Sequence, residues 1–231
     1  MFDLLRARLR QRPDPVTPRD SEAGLPDRFR GRLVPTSDTA KSNRRLPVID
    51  LGASVFAPEE AIDDRRFTRD HRMATRTRQA LVLENGDMEL AQALDARMRS
   101  LLGRSLRLRS VAAGSCGGCE AELTALGNVV FDMARFGVQF VASPRHADGI
   151  VVTGVVNANM REALEKTYEA TPDPRIVIAV GACAISGGVF QGSDQVTGIP
   201  ESIPVDLWIP GCPPHPLTVL DGLLRLLGRL D

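Results

Sequence analysis

The stretch Arg175–Cys183, "RIVIAVGAC", places an unbroken apolar run, Ile176–Val180, directly before a glycine. A short run rich in β-branched residues is typical of a strand buried on both faces, and such strands belong to parallel sheets. A cysteine stands just past the end of this strand. The stretch therefore predicts a parallel sheet with Cys183 at the carboxyl end of one strand.

Similar apolar runs alternate with helical patterns from Leu106 onward. We predict further strands at "LRLRSVAA", "VQFVAS", "DGIVVTG" and "VDLWIPG", and helices at "CEAELTALGNVVFDMARFG", "NANMREALEKTYEAT" and "HPLTVLDGLLRLLGRL". Alternating strands and helices form parallel sheets that are covered by helices on both faces. Residues 105–231 are therefore predicted to form a three-layer α/β domain of the doubly wound type.

The residues before 105 have a different character. Residues 1–45 are rich in Arg, Pro, Asp and Ser without periodicity, which predicts an irregular basic segment. Residues 46–104 form an extension of unassigned role, with candidate strands at "LPVIDLG" and "ALVLENG" and a candidate helix at "PEEAIDDRRFTRDHRM". The spacing of apolar residues predicts a second helix over Asp87–Leu102.

Charge and hydropathy bear on where the protein works. Residues 1–110 carry 22 Lys and Arg against 16 Asp and Glu, but no dense basic block, which favours a solvated or partner-covered segment over nucleic-acid binding. No run of about eighteen apolar residues is present, and neither Arg-Arg pair precedes the apolar run of an export signal. We expect a cytoplasmic protein that reaches a membrane only through partner subunits.

All four cysteines of the chain follow predicted strands. Cys116 and Cys119 come after the strand that ends near residue 113, Cys183 follows "RIVIAVG", and Cys212 follows "VDLWIPG". Sites in open parallel sheets form outside the carboxyl ends of the strands. If those strands are neighbours, all four thiols converge on one edge of the sheet.

Three chemistries compete for these thiols. A thioredoxin-like disulfide needs only Cys116 and Cys119, and structural zinc sites usually use two close-set pairs. An iron-sulfur cluster accepts one pair plus two separate thiolates, and the small residues of "GSCGGC", "GACAISGG" and "PGCPP" leave room for its bulk. The pattern favours a 4Fe-4S cluster, with zinc, thiol redox chemistry and bystander cysteines as alternatives.

Five blocks stand in a fixed order between Ser105 and Leu227: "GSCGGCEAEL", "DMARFG", "SPRHADGIVVTG", "PDPRIVIAVGACAISGG" and "IPVDLWIPGCPPHP". Together they resemble the family shared by the cluster-bearing B subunit of respiratory complex I and the small subunits of nickel-iron hydrogenases. The resemblance implies a flavodoxin-like domain with one 4Fe-4S cluster, whose ligands would be Cys116, Cys119, Cys183 and Cys212. In that family the cluster relays electrons beside the active site of a larger subunit.

The spacing of the first two cysteines bears on the branch of the family. Complex I members typically carry adjacent cysteines, whereas "CGGC" is similar to energy-converting hydrogenases and formate hydrogenlyase-type complexes; "GACAISGG" is closer to complex I. The resemblance implies an electron-transfer subunit of such a hydrogenase, without an active site of its own, and a complex I-like NADH:quinone oxidoreductase as the alternative. The implied partners are a nickel-iron-hydrogenase-like large subunit or its complex I equivalent, a ferredoxin-like two-cluster subunit, and membrane subunits at the inner face of the cell membrane.

Three further residues are candidates for a proton relay: Glu122, Asp148 and His215. Glu122 matches an acidic residue of the family near the cluster, although a carboxylate on the first turn of a helix also suits the helix dipole. Asp148 stands with Arg145 in a family block, where a salt bridge at the entry to a strand is the alternative. His215 could couple the cluster to pH or simply start a helix on the surface. Glu120 is expected only to face solvent or a partner.

Overall fold

The computed structural model describes residues 25–36, 48–55, 65–83, 88–102 and 105–230. Before residue 105, the described segments form two small antiparallel strand pairs. β1 (Leu33–Pro35) pairs with β3 (Arg65–Phe67), and β2 (Ile49–Asp50) pairs with β4 (Val82–Leu83). Two helices, α1 (Leu51–Ser54) and α2 (Ala96–Leu102), and a 3-10 turn at Gln79–Leu81 complete this region.

Two helices predicted in this region are wrong in part. The candidate helix "PEEAIDDRRFTRDHRM" contains β3 instead, and its first residues lie outside the described part of the chain. Of the helix predicted over Asp87–Leu102, only α2 is helical. The segment before α2 lies against the rest of the chain, where the N–H of Ala91 donates to the carbonyl of Ala74 (2.7 Å) and that of Leu94 to Leu226 (2.9 Å). The apolar spacing therefore reflects burial of an irregular segment.

After residue 105, five parallel strands form the main sheet: β5 (Leu106–Ala112), β6 (Val138–Phe140), β7 (Gly149–Thr153), β8 (Ile176–Val180) and β9 (Leu207–Ile209). Their spatial order is β6-β5-β7-β8-β9. Numbered within the domain, this order is 2-1-3-4-5, which defines the flavodoxin-like form of the doubly wound fold. The predicted fold class is confirmed.

Three helices connect strands, α3 (Gly118–Ala125), α4 (Ala158–Glu169) and α5 (Ala182–Ser186), and a fourth, α6 (Pro216–Leu226), follows β9. The helix predicted from Cys119 to Phe136 is wrong in its second half, because α3 ends early and a 3-10 turn at Met133–Phe136 follows. The side-chain oxygen of Asn128 accepts the N–H groups of Val130 and Phe131 (2.9 and 3.1 Å), which stabilises a turn in place of the helix. Helix α5, only five residues long, was not predicted because it is too short to show a helical repeat.

The sheet has an apolar layer on each face. One face packs with α6, whose residues are all buried, and the other packs with α4 through Leu164. Every residue of β7 and β8 is buried, as the continuous apolar runs predicted. These layers confirm the three-layer architecture.

The region before residue 105 packs onto this domain. Thr75 forms an antiparallel bridge to Trp208 of β9, with two backbone hydrogen bonds of 3.0 and 2.9 Å, so the extension continues the sheet beyond its last strand. A separate apolar cluster joins Leu51 and Leu81 of the extension to Ile185 of α5. Within the described residues, no helix is long and apolar enough to cross a membrane.

Candidate metal centre

The fold brings all four cysteines to the carboxyl edge of the sheet. Cys116 and Cys119 lie in the turn after β5 and in the first turn of α3, Cys183 is the second residue of α5 after β8, and Cys212 follows β9. Strands β8 and β9 are neighbours, whereas β7 separates β5 from β8. All four thiols are free; Cys116 and Cys212 are exposed, and the other two are half-buried.

The cysteines of this edge are close enough to raise one another's pKa. Burial raises the pKa of Cys119 to about 12, and the negative charges of Glu120 and of the three other cysteines add to the increase. Burial also raises the pKa of Cys183, with Cys212, Cys116 and Glu120 contributing. As thiolates these groups would repel one another, so the donor set suits a positively charged metal core.

Two glycines let the backbone approach the sulfur atoms. Gly181, at φ 90°, precedes α5, and a Cβ at this position would lie 2.6 Å from Sγ of Cys119. Gly188, at φ 56°, is placed so that a Cβ would lie 2.9 Å from Sγ of Cys183. Both positions combine a positive φ with a close approach to sulfur that a side chain would block. The donors and this backbone cradle fit a bulky metal cluster.

Glu120 is a site residue that sequence reasoning missed. It was expected to face solvent or a partner, but its carboxylate accepts hydrogen bonds from the hydroxyls of Thr153, at the end of β7, and Ser115, and its second oxygen is buried. Burial raises its pKa, but these hydrogen bonds outweigh burial and hold the pKa below its usual value. Since Thr153 is far from Glu120 in the chain, no local pattern could have predicted their contact.

The structure does not bring all relay candidates together. Glu122 lies on the second turn of α3 rather than the first, and burial raises its pKa. Asp148 lies before β7, at the edge of the sheet opposite the cysteines. There its carboxylate accepts the backbone N–H of Arg107 (2.7 Å) and pairs with the guanidinium of the same residue (3.3 Å). The pairing partner is thus Arg107 and not Arg145, which is exposed and lines a cavity of about 380 Å³ at that edge.

His215, three residues beyond the last cysteine, is the N-cap of α6. Its Nδ1 accepts the N–H of Leu217 (3.2 Å), and its ring lies edge-on between Phe29 (5.8 Å) and Phe131 (5.7 Å). Burial lowers its pKa, and the positive charge of His71 lowers it further. The ring is therefore more enclosed than a surface helix start would be. The assignment of a proton relay to Glu122, Asp148 and His215 stays a prediction.

Apolar side chains are exposed in the segments that follow α3 and α5, the helices that carry Cys119 and Cys183. Val129 and Val130 follow α3 and are 74% and 43% exposed, while Val189 and Phe190 follow α5 and are 64% and 54% exposed. In the described part of the chain, no three His, Cys, Asp or Glu side chains converge closely enough to hold a single metal ion.

Comparison with known proteins identifies the family. Residues 116–226, which include all four cysteines, match the family model described as the 20 kDa subunit of NADH ubiquinone oxidoreductase. A probable membrane-bound hydrogenase subunit of Pyrococcus furiosus is 42% identical over 147 residues, which cover 63% of this chain and 88% of that protein. The chain belongs to the family of this NADH ubiquinone oxidoreductase subunit. The family predicted from the five sequence blocks is thus confirmed, and its members are oxidoreductase subunits.

Two further members of the family differ in how much of the chain they match. An NADH-quinone oxidoreductase subunit of Citrifermentans bemidjiense is 47% identical over 112 residues, covering 48% of this chain and 66% of that protein. Formate hydrogenlyase subunit 7 of Escherichia coli is 41% identical over 144 residues, covering 62% of this chain and 56% of that protein. The alignments with the hydrogenase and hydrogenlyase subunits are longer than residues 105–231, so they include part of the extension. The alignment with the quinone oxidoreductase is short enough to lie within the α/β domain.

Proposed function

We propose that this chain is an electron-transfer subunit that holds one 4Fe-4S cluster on Cys116, Cys119, Cys183 and Cys212. The observation that carries this proposal is the gathering of four free thiols at the carboxyl edge of one sheet. A pair plus two separate thiolates is an accepted ligand pattern for such a cluster. Gly181 and Gly188 support it, because they let the backbone lie against two of the sulfur atoms where a side chain would clash with them.

The residues of this chain would bind and shield the cluster. When bound, the cluster supplies a site that accepts and releases single electrons. Helices α3 and α5 hold Cys119 and Cys183 in half-buried positions, and the hydrogen bond between Thr153 and Glu120 ties α3 to β7. Cys116 and Cys212 remain exposed, so we infer that a partner protein covers this edge and excludes water from it. Electrons would cross that contact.

The branch that we favour is a membrane-bound energy-converting nickel-iron hydrogenase or a formate hydrogenlyase-like complex. The "CGGC" spacing supports it, as do the two alignments that extend beyond the α/β domain. In this proposal a hydrogenase-like large subunit performs the chemistry on hydrogen. A ferredoxin-like subunit carries electrons onward, and membrane subunits hold the assembly at the inner face of the cell membrane.

A second candidate is a complex I-like subunit that passes electrons toward quinone. The relative from the NADH-quinone oxidoreductase is 47% identical over its shorter alignment, and "GACAISGG" favours the same branch. Both candidates assign the same four ligands and the same partner-facing edge. They differ in the large subunit, which in this alternative would be the complex I equivalent of the hydrogenase subunit.

One anaerobic purification tests both the cluster assignment and the hydrogenase branch. The full chain, isolated with its co-purifying subunits, should be brown and contain about four irons per chain, with an electron paramagnetic resonance signal on reduction. Cys183→Ser should weaken the signal, while Ser193→Ala, on an exposed loop, should not. A colourless, iron-free protein would overturn the cluster assignment. A large subunit without two nickel-binding Cys-x-x-Cys pairs would instead reject the hydrogenase branch.

A further inference from the structure

Helix α1 of the N-terminal extension lies directly against helix α5, which carries Cys183. A Cβ on Gly52 would come within 2.6 Å of Cγ2 of Ile185, so the two helices are already at their closest approach. Leu51 and Ile185 are 1% and 9% exposed and belong to one apolar cluster. Ile185 stands two residues after Cys183, so α1 packs on the helix that carries the cysteine.

A hydrogen-bond path continues this contact to the sulfur atom. The hydroxyl of Ser186, at the end of α5, lies 3.2 Å from the carbonyl oxygen of Gly52 and 3.0 Å from that of Ala182, and it accepts the N–H of Gly188 at 3.3 Å. Gly188 in turn is the residue whose backbone lies against Sγ of Cys183. The extension is therefore two hydrogen bonds away from the turn that packs on a cysteine.

Helix α1 is itself held in place by an ion pair within the extension. Asp50 is its N-cap and accepts the N–H of Gly52 at 3.0 Å, while Nη1 and Nη2 of Arg78 donate to the two carboxylate oxygens at 2.8 and 2.5 Å. A helix of four residues has no stability of its own. The two-pronged bond between Arg78 and Asp50 thus fixes the position from which α1 contacts α5.

We propose that this part of the extension, residues 49–54 with Arg78, positions Cys183 for the metal cluster. Gly52, Asp50 and Arg78 are then positioning residues that act through α5 and touch no ligand themselves. The inference rests on the proposed cluster. It gives a role to the N-terminal extension, which lies outside the α/β domain that carries the cysteines. Residues that orient a ligand from outside the first coordination shell commonly change metal affinity and redox potential.

The test uses the full chain with its reconstituted cluster and the variant Gly52→Ala. The new methyl group would lie 2.6 Å from Cγ2 of Ile185 and 3.2 Å from Oδ1 of Asp50, at a position without positive φ. We expect a displaced midpoint potential, altered electron paramagnetic resonance g values, and iron loss to a chelator that is on the order of 10-fold faster. The double variant Gly52→Ala/Ile185→Ala should return these readouts toward those of Ile185→Ala alone. Gly127→Ala, where a Cβ meets only one oxygen at 3.4 Å, is the matched control.

Each outcome bears on one proposal. A wild-type chain that binds no iron refutes the cluster itself. A wild-type chain with a cluster, together with a Gly52→Ala variant of unchanged potential and g values, refutes the positioning role alone. If Gly52→Ala does not accumulate, Ser186→Ala supplies the same readout, because it removes the hydroxyl between Gly52 and Gly188 and little packing surface. An unchanged signal in that variant likewise overturns the inference.

Discussion

The backbone of Gly181 lies against the sulfur atom of Cys119, so closely that a Cβ at position 181 would stand 2.6 Å from Sγ. Gly181 ends the turn after β8, whereas Cys119 lies on α3 after β5. The contact therefore brings the turn before Cys183 against Cys119, although strand β7 lies between β5 and β8. It also explains why a residue without a side chain follows the run "RIVIAV".

This contact predicts that Gly181→Ala loses the cluster. The added methyl group cannot coexist with Sγ of Cys119, and the backbone at φ 90° is strained for any residue with a Cβ. We expect the iron content of the anaerobically purified chain to fall by on the order of 10-fold or more, measured by colorimetric iron assay.

Gly192→Ala provides the control for backbone strain in Gly181→Ala. The φ of Gly192 is also positive, at 85°, but a Cβ there meets no atom within 4 Å. Gly192→Ala should therefore keep its iron, at a cost in stability of about 1–2 kcal/mol. Equal iron loss in the two variants would mean that backbone strain, and not contact with the sulfur, is responsible.

The hydrogen bond between Thr153 and Glu120 makes a prediction about stability without metal. Thr153→Val keeps the shape of a fully buried side chain but removes a donor from a carboxylate. We expect the free energy of unfolding of the iron-free chain to fall by about 1.5–3 kcal/mol, as for a hydrogen bond to a charged group. Urea denaturation followed by the fluorescence of Trp208, the only tryptophan, measures this change. Thr153→Ser, which retains the hydroxyl, is the control, and an unchanged free energy of unfolding in Thr153→Val would show that the hydrogen bond contributes nothing.

The sequence was sufficient to predict the sheet and the place of the cysteines. Runs such as Ile176–Val180 are local signals, because burial on both faces requires apolar residues throughout a strand. The position of Cys183 after such a run then follows from the geometry of parallel strands. For the same reason the α/β architecture could be predicted without any knowledge of contacts.

The features that could not be predicted depend on contacts between distant segments. The early end of α3 is set by the turn at Asn128, and the irregular segment around Ala91 is held by Ala74. Glu120 on α3 accepts a hydrogen bond from Thr153 on β7. Helix α1 contacts α5, which lies more than a hundred residues later in the chain. Propensity and periodicity depend only on residues that are near in the chain, so they cannot predict these contacts.

The lowered pKa of His215 predicts a pH-dependent stability. Burial and His71 disfavour its protonation. Nδ1 must also stay unprotonated to accept the N–H of Leu217. His215 lines one cavity together with Arg28 and Arg30, which add positive charge there. A histidine whose pKa lies below 6.5 in the folded state binds fewer protons there than in the unfolded state. The wild-type free energy of unfolding should therefore fall as the pH drops below 6.5, until the folded-state pKa is passed.

The variant His215→Asn isolates this effect, because asparagine is also a good N-cap but does not titrate. At about pH 8 the variant should be less stable by about 1 kcal/mol, through loss of the ring contacts with Phe29 and Phe131. On acidification to about pH 5.5 the difference between the two proteins should narrow, as measured by urea denaturation. A difference that stays constant with pH would show that His215 does not titrate differently on folding.

The two ion pairs Arg225–Asp221 and Lys166–Glu162 offer a matched test of burial, since both join residues four apart on a helix. Asp221 is 0% and Arg225 8% exposed, whereas both side chains of the pair on α4 are more than 70% exposed. Asp221→Ala removes a buried carboxylate from beside the Arg225 guanidinium on α6, so we expect the free energy of unfolding to fall by about 3 kcal/mol. Glu162→Ala should cost only about 0.3–0.5 kcal/mol, because water already solvates that pair. Thermal and urea denaturation of the two variants compare them directly. A loss in Asp221→Ala as small as that in Glu162→Ala would mean that burial adds nothing to the contribution of the ion pair.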